Sequence, residues 1–511
     1  MSMISGGLDR RLWAISSVVI LGAVMSILDT TIVNVAIDAL ARDLHASLGT
    51  IQWVSTGYML ALATVIPLTG WAAERFGTKR LFLVAVTLFV AGSALCGMAW
   101  SSQSLIAFRV LQGLGGGMVM PTGMMILAQA AGPQRMGRVM SVIGVPMLIA
   151  PVIGPALGGY LIDAISWRWI FFVNIPVGAI ALVLAARILD RDRPQERHPL
   201  DVRGFLYLSP GLTALVYGLA EAGSEGSLTA IRPLLSVAVG VVLIAAFVCH
   251  ALRATRPLLD LQLFRVRAFW ASSATTFVLG GALFGAMILM PLYYQLVHGV
   301  SALEAGLLLA PQGLGVAVAM PIAGRLADRI GPGRIVVAGL GVVLLGTFAF
   351  TQVTDSSSFT VLGVSLFIRG AGLGMTMMPA MSAAYQVLDR AAVPRATTTL
   401  NILNRVGGAL GTAILAVTLQ GQIESNLAGL VPGGASSGLG SAQVLTPEQR
   451  AVVAPHLADA FGTTFWWAMA LTVVAVIPAL LLPMGPPKLP SEPPFGEVAA
   501  DQREAVLAGI E

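Results

Sequence analysis

The sequence predicts an all-α polytopic membrane protein of fourteen transmembrane helices. They are expected to be ordered 6+2+6, as two pseudo-symmetric six-helix bundles around a central cavity with an extra pair between. Three observations lead there. The 511-residue chain is 56% hydrophobic and 11% charged, with a mean hydropathy of +0.83, whereas soluble domains carry about 25% charged residues. Apolar stretches of about 20 residues, long enough to cross a hydrocarbon core of about 30 Å, recur along the whole chain. Similar short motifs stand at matching places in the two halves.

The first half supplies spans at 14–38, 51–73, 81–99, 104–128, 138–162 and 169–189. The basic start, Arg10 and Arg11, leads into an apolar run too long for a signal-peptide core, so span one is expected to serve as its own uncleaved anchor. The polar stretch "DRDRPQERHPLDVR", 190–203, reads as a linker, and 204–220 and 234–252 as the extra pair. Further spans follow at 269–292, 303–323, 335–352, 359–382, 396–419 and 463–484. The expected units are an N-terminal bundle 1–189, the linker 190–203, the extra pair 204–252, a C-terminal bundle 253–488 and a tail 489–511. The longest loop, 420–462, is rich in Gly and Ser, and "TPEQRAVVAPHLADAF" within it reads as a short amphipathic surface helix.

Charge sets the orientation. With the N-terminus inside, 23 of the 30 Lys+Arg fall in inward-facing segments and four in outward-facing ones. The positive-inside rule therefore puts both termini in the cytoplasm. All these cations but Lys79 and Lys488 are arginine, a bias common in GC-rich bacterial coding, so a bacterial plasma membrane is expected. The net charge of +5 is dispersed in short clusters between apolar segments, which excludes a nucleic-acid surface. The two cysteines, Cys96 and Cys249, have no metal-ligand spacing, and the five histidines share no spacing that would build a catalytic site. No cofactor and no enzymatic activity are expected.

Three basic residues remain inside spans: Arg109, Arg369 and Arg405. The stretch "SILDTTIVNVAID", 26–38, carries Asp29, the only acid deep in any span. A carboxylate at such a depth costs roughly 2.5–3.5 kcal/mol on insertion scales and is a functional candidate by default. Arg109 is expected to reach it, leaving a carboxyl that a proton or a substrate can switch. "GWAAERFGTKR" after span two and "GRLADRIGPGR" after span ten repeat one pattern, as do "FRVLQGLGGGM" and "IRGAGLGM" around Arg109 and Arg369. In the first pair, Gly70 and Gly324 admit a close neighbour, while Glu74 with Arg75 and Asp328 with Arg329 can form local latches. The run "GLGGG" lacks the Lys-Ser/Thr ending of a phosphate loop and reads as a packing face. In "GVPMLIAPVIGPALGG", Pro146, Pro151 and Pro155 invite kinks and Gly154, Gly158 and Gly159 permit tight contact, suiting a seam between half-bundles.

On these motifs the whole chain resembles the major facilitator superfamily, and within it the fourteen-span drug/proton antiporter branch of multidrug efflux permeases. "GRLADRIG" is similar to the signature between spans two and three, whose first copy here has Glu74 where the family usually has aspartate. "RVLQGLGGG" resembles the fourth-span motif with its proton-linked arginine (Arg109), and "GPALGG" the antiporter motif of span five. "LDTTIVNVAID" resembles the branch's first-span motif, with Asp29 at the acidic position, and "WRWIFFVNIPVG" its sixth-span signature. The first-span motif normally ends in proline; Asp38 stands there instead and becomes a second candidate for proton handling.

The resemblance implies alternating access driven by the proton gradient, exporting drugs or lipophilic and amphipathic molecules. The partners would be those substrates, protons and membrane lipids, with the monomer as the working unit. An alternative cargo is a dedicated lipid, peptide or secondary metabolite, passed to a periplasmic or lipoprotein partner. Expected cavity residues are Asn34, Trp53, Tyr58, Gln112, Phe284, Tyr293, Gln295, Gln312, Asn401, Asn404 and Arg405.

Overall fold

The computed structural model describes residues 9–132, 135–192, 198–388, 392–427 and 447–486, and among them every regular element is a helix. Helix lets an apolar segment satisfy each backbone N–H and C=O internally, as lipid requires of any chain that is not closed into a barrel. The first group comprises α1 (Arg10–Val35), α2 (Ile37–Asp43), α3 (Leu48–Val65), α4 (Leu68–Phe76), α5 (Thr78–Gly97), α6 (Ser102–Ala131), α7 (Met136–Ala164), α8 (Trp169–Phe172) and α9 (Asn174–Ile188). Then come α10 (Val202–Glu225) and α11 (Ile231–Ala251). The last group is α12 (Arg267–Val297), α13 (Ala302–Leu308), α14 (Ala310–Ile330), α15 (Pro332–Phe348), α16 (Phe359–Tyr385), α17 (Val393–Leu427) and α18 (Pro447–Ala479). Among the described residues eleven helices are long and apolar enough to cross a membrane, or twelve if the bent pair α3–α4 counts as one.

Three elements differ from the sequence expectation. The span 51–73 is two helices bent by 55°, because Pro67 cannot donate to the ladder and the Thr69 hydroxyl bonds the Ile66 carbonyl instead at 2.6 Å. The span 303–323 is interrupted at Leu309, two residues before Pro311. The surface helix expected in 420–462 is no separate element: it is the start of α18. There Val453, Leu457, Ala458 and Phe461 are buried with Ile423 and Leu427 of α17, so the helix continues past Pro455 on tertiary packing. Residues 428–446 of that loop, 193–197 of the linker and the tail 489–511 lie outside the described residues.

α1, α3, α5, α6, α7 and α9 pack on one another, and α12, α14, α15, α16, α17 and α18 do likewise. Within each set glycine faces set the spacing. A methyl on Gly115 of α6 would meet the Phe89 nitrogen at 2.5 Å and the Ala85 oxygen at 2.8 Å; one on Gly372 of α16 would meet the Val343 nitrogen at 2.5 Å and the Gly339 oxygen at 2.8 Å. The two contacts are the same crossing built twice. The turns after α4 and α14 pass through Gly77 (φ 90°) and Gly331 (φ 99°), a backbone region that disfavours any side chain.

The sets meet along α7 with α14 and at one end, where α17 touches α4 and α6. That end carries the basic turns around Arg75, Lys79, Arg329 and Arg334, and we call it the basic end. Its interior is one apolar cluster shared by both sets, including Met125, Met136 and Met140 with Met320, Met378, Met381 and Leu400. At the opposite end the buried clusters belong to one set or the other. The two sets are therefore closed at the basic end, and away from it they meet along α7 with α13 and α14.

Because Gly115 meets main-chain atoms that cannot rotate away, Gly115→Val should cost about 1–3 kcal/mol by overpacking. Gly341 has nothing within 4 Å of an added methyl, so Gly341→Val should leave stability unchanged. Thermal unfolding of the two purified variants in detergent checks the contrast.

Candidate functional site

α1 carries Asp29 into the middle of the first bundle, with none of its surface exposed. Three side chains supply the donors that water would otherwise provide. Arg109 of α6 donates to Oδ2 at 2.5 Å. Gln112, one turn along α6, donates to Oδ1 at 2.8 Å, and Asn174 at the start of α9 donates to the same oxygen at 3.1 Å. Arg109 is itself 1% exposed. It donates further to Gln112 Oε1 at 2.8 Å and, through Nε, to the Val54 carbonyl of α3 at 3.2 Å. Its guanidinium lies 4.0 Å from the centre of the Tyr58 ring, a cation–π contact worth about 2 kcal/mol or more when desolvated. Charge, hydrogen bonds and ring together make an ion pair tolerable here.

The position of α1 is set by the glycines of α7. A methyl on Gly154 would strike Thr31 Oγ1 at 2.1 Å, and one on Gly158 would strike Ile32 at 2.7 Å. Two of the predicted span-five glycines thus press α7 against α1 just beyond Asp29, whereas Gly159 faces open space. The side chains of Pro155, Asn34 and Asp38 lie outside the described ones.

The second bundle corrects the pairing of Arg109 with Arg369. A methyl on Gly92 of α5 would sit 2.7 Å from Cα of Gln112, and one on Gly346 of α15 would sit 2.7 Å from Cα of Arg369. Arg369 therefore stands where the first bundle has Gln112, and the station of Arg109 is taken by buried Leu366. Sequence spacing from the turn motif misses this because the repeats differ in length between span and loop. Arg369 is 2% exposed; it donates to Gln312 Oε1 at 2.6 Å and faces the Met290 sulfur at 3.8 Å.

At the basic end the expected local latches are instead cross-links between the bundles. Glu74 does not pair with Arg75; it accepts from Arg395 of α17 at 2.8 and 3.1 Å. Arg75 donates to the His198 carbonyl at 3.1 Å. Asp328 likewise turns away from Arg329: its Oδ1 accepts from the Gly137 nitrogen at 3.1 Å, and Oδ2 lies 3.7 Å from Arg138 Nε, both at the start of α7. Each latch is an acid three residues before the turn glycine, Gly77 or Gly331, reaching an arginine on the other bundle. The glycines bring the chains together: a methyl on Gly70 would meet Thr398 Oγ1 at 2.9 Å, and one on Gly137 would meet the Gly324 carbonyl at 2.8 Å. Beside them the Thr69 and Thr398 hydroxyls are 3.1 Å apart.

The remaining expected cavity residues divide. Trp53 and Phe284 are exposed, and Trp53 stacks on Tyr217 of α10. Arg405 lies mid-way along α17 with its side chain exposed. Tyr293 lines nothing: it is buried against Tyr294, His298 and Phe461, and its hydroxyl donates to the Thr354 carbonyl at 2.9 Å. Gln295 and Asn401 donate to carbonyls of their own helices, and Asn404 leans on the Thr276 carbonyl of α12. Tyr58 and Gln112 belong to the Asp29 network. Asn174 was not singled out from sequence; the signal available was an amide within "FFVNIPVG". At the mouth away from the basic end, Trp167 Nε1 donates to Asp43 at 2.7 Å and Arg168 pairs with it, lowering that exposed carboxyl's pKa.

A family model, Major Facilitator Superfamily, matches residues 19–412. The chain belongs to that superfamily. It is a multi-pass membrane transporter. It is 43% identical over 490 residues to a protein of Mycobacterium tuberculosis called multidrug resistance protein B homolog, covering 93% of this chain and 91% of the relative. It is 34% identical over 397 residues to the multidrug export protein EmrB of Haemophilus influenzae, covering 77% and 78%. A solved superfamily structure, the proton:xylose symporter XylE, superposes with a TM-score of 0.58 at 14% identity, over 91% of this chain and 94% of that one, and shows the shared fold.

If the Asp29–Arg109 pair is what makes each charge tolerable, Asp29→Asn should cost about 3–5 kcal/mol by leaving Arg109 without a counter-ion. Asp29→Asn with Arg109→Gln should recover most of that loss. A double-mutant cycle on thermal unfolding reads it; additive losses would mean the pair is not coupled.

Proposed function

We propose that this chain is a proton-coupled antiporter that exports drugs or other lipophilic and amphipathic molecules by alternating access. In this reading α7 and α10 also cross, giving fourteen spans as 6+2+6, in a bacterial inner membrane with both termini and the basic end cytoplasmic. The observation that carries it is the buried carboxylate of Asp29, whose ionic hold on Arg109 a single proton would weaken while the Gln112 and Asn174 amides still meet an acceptor oxygen. The names of the relatives, multidrug resistance and multidrug export, support the cargo class.

The geometry supplies a route from proton to gate. In this reading the sealed basic end is the cytoplasmic one, so the proton reaches Asp29 from the outer side. A proton on Asp29 cancels its charge and weakens the bond to Arg109. Arg109 keeps its acceptors on Val54 and Gln112, so α3 and α6 stay together while α1 is loosened from them. α1 is pressed on α7 through Gly154 and Gly158, and the start of α7 holds the Asp328 latch. Displacement of that rod loosens the inner seal, and the cleft then closes outside and opens inside. Deprotonation into the cytoplasm, with substrate loading, restores the ion pair and resets the outward form.

In proteoliposomes with an imposed pH gradient, Asp29→Asn should lower gradient-driven ethidium transport more than tenfold. Undiminished gradient-driven transport would remove Asp29 from coupling. A susceptibility panel in an efflux-deleted host separates drugs from a dedicated envelope lipid or metabolite. In a Cys249→Ser background, Thr69→Cys with Thr398→Cys should cross-link under oxidant, stop transport, and recover on reduction.

A further inference from the structure

The donors around Asp29 are themselves fixed by α5, from one layer further out. Ser93 of α5 is fully buried, and its hydroxyl donates at 2.9 Å to the Phe171 carbonyl, near the break between α8 and α9. With its proton spent there, Ser93 Oγ can only accept, and it accepts from Asn174 Nδ2 at 3.1 Å. The same nitrogen donates to Asp29 Oδ1 at 3.1 Å, so both of its N–H groups are committed. Turning the amide over would set its oxygen against the Ser93 oxygen. Gln112 is held likewise. Its Oε1 accepts from Arg109 at 2.8 Å and from the Cys96 thiol of α5 at 3.5 Å, leaving Nε2 for Asp29 Oδ1. The second bundle makes the contrast. Thr347, next to Gly346 as Ser93 is next to Gly92, turns its hydroxyl back to the Val343 carbonyl of its own helix at 2.7 Å. That is the ordinary habit of a helical hydroxyl, and there Arg369 faces a thioether, not a carboxylate.

We propose that Ser93 is a positioning residue for the proton on Asp29: by holding the Asn174 amide as a donor, it obliges that proton to displace Arg109. Oδ1 faces two N–H donors, so an arriving proton settles on Oδ2, the oxygen that Arg109 holds. A carboxyl O–H and a guanidinium N–H cannot share that line, and Arg109 gives way. Without the Ser93 oxygen, the Asn174 amide can turn once Asp29 is neutral and offer its own oxygen to an O–H on Oδ1. Arg109 then stays in place, and protonation no longer reaches the helix packing. The ionised form loses little, since Asn174 can still donate to it. The titratable groups around Asp29 are Arg109 of α6, Tyr58 of α3 behind that guanidinium, and Cys96 of α5 beyond Gln112. Tyr160 and Asp163 of α7 and Arg187 of α9 are exposed, and Arg138 of α7 faces Asp328. The inference rests on reading Asp29 as the proton-coupling carboxylate.

Infrared titration of the full chain in lipid vesicles reads the proton directly, through the protonated-carboxyl carbonyl stretch that disappears in Asp29→Asn. Ser93→Ala should raise the midpoint of that band by at least half a pH unit, about a threefold gain in proton affinity. Ser93→Thr, which keeps the hydroxyl, should restore the wild-type midpoint. In an Asn174→Ala background, Ser93→Ala should shift nothing further, because the hydroxyl acts through that amide. An unmoved midpoint in Ser93→Ala overturns the proposal. So does an equal shift with the Asn174 amide already removed, which would mark a general loosening of α5. In proteoliposomes under a pH gradient, Ser93→Ala should pass at least twice as many protons per ethidium as wild type; an unchanged ratio also overturns it. The export reading fails separately. An Asp29 band that shows the Ser93 shift, in a chain that moves no ethidium on a gradient, removes export and leaves the positioning role. Gradient-driven transport lost in Asp29→Asn, with a midpoint indifferent to Ser93, does the reverse.

Discussion

A carboxylate with no exposed surface must have every lone pair answered by the protein, and much of the first bundle is arranged around that requirement. Asp29 draws donors from α6 and α9, and Arg109 in turn draws an acceptor from α3 and a ring face from Tyr58. Four helices are thereby tied to one charge. In a low-dielectric interior such a network is strong while complete and costly when one member is lost. A group whose charge can be cancelled by one proton is the natural place for the bundle to change its packing.

The same logic appears at the basic end in a softer form. Glu74 with Arg395, and Asp328 with the start of α7, join the bundles through part-buried charges backed by a methionine-rich cluster. Methionine side chains adapt to changing neighbours, and part-buried ion pairs can be exchanged for water, so this contact is softer than the packing inside each bundle. The glycine crossings inside each bundle involve backbone against backbone and do not have that freedom. Rigid bundles with a yielding contact between them are what rocking motion requires. The helix α10 lies along both α3 and α17, with the Thr64 and Thr213 hydroxyls 2.8 Å apart, so it touches both bundles.

Asp29 and Arg109 were legible as an expected pair because two opposite charges stood out in otherwise apolar runs. Gly70, Gly154, Gly158 and Gly324 were legible as close-approach points because residues without side chains recur at helix seams. Other expectations failed for identifiable reasons. Tyr293 is polar yet fully buried, because the Thr354 carbonyl accepts from its hydroxyl and neighbouring rings enclose it, while Gln295, Asn401 and Asn404 stay half-buried with their amides on nearby carbonyls. Glu74 and Asp328 were read with the arginines next to them in sequence. Adjacent residues on a helix point to different faces, so each acid met the arginine that folding brought opposite it.

The sequence by itself determined that this chain is helical, that its apolar stretches repeat in two similar sets, and that very few charges lie within them. Those properties are sums over composition and local period, and the cost of exposing backbone or charge to lipid acts on each segment alone. Only the tertiary structure decided which bundle each charge serves, that Arg369 corresponds to Gln112 and not to Arg109, that Asn174 completes the shell around Asp29, and that the latches cross from one bundle to the other. Each of these depends on the rotation and depth of one helix against another. A glycine contact of a few ångströms sets them, and no spacing along the chain encodes them.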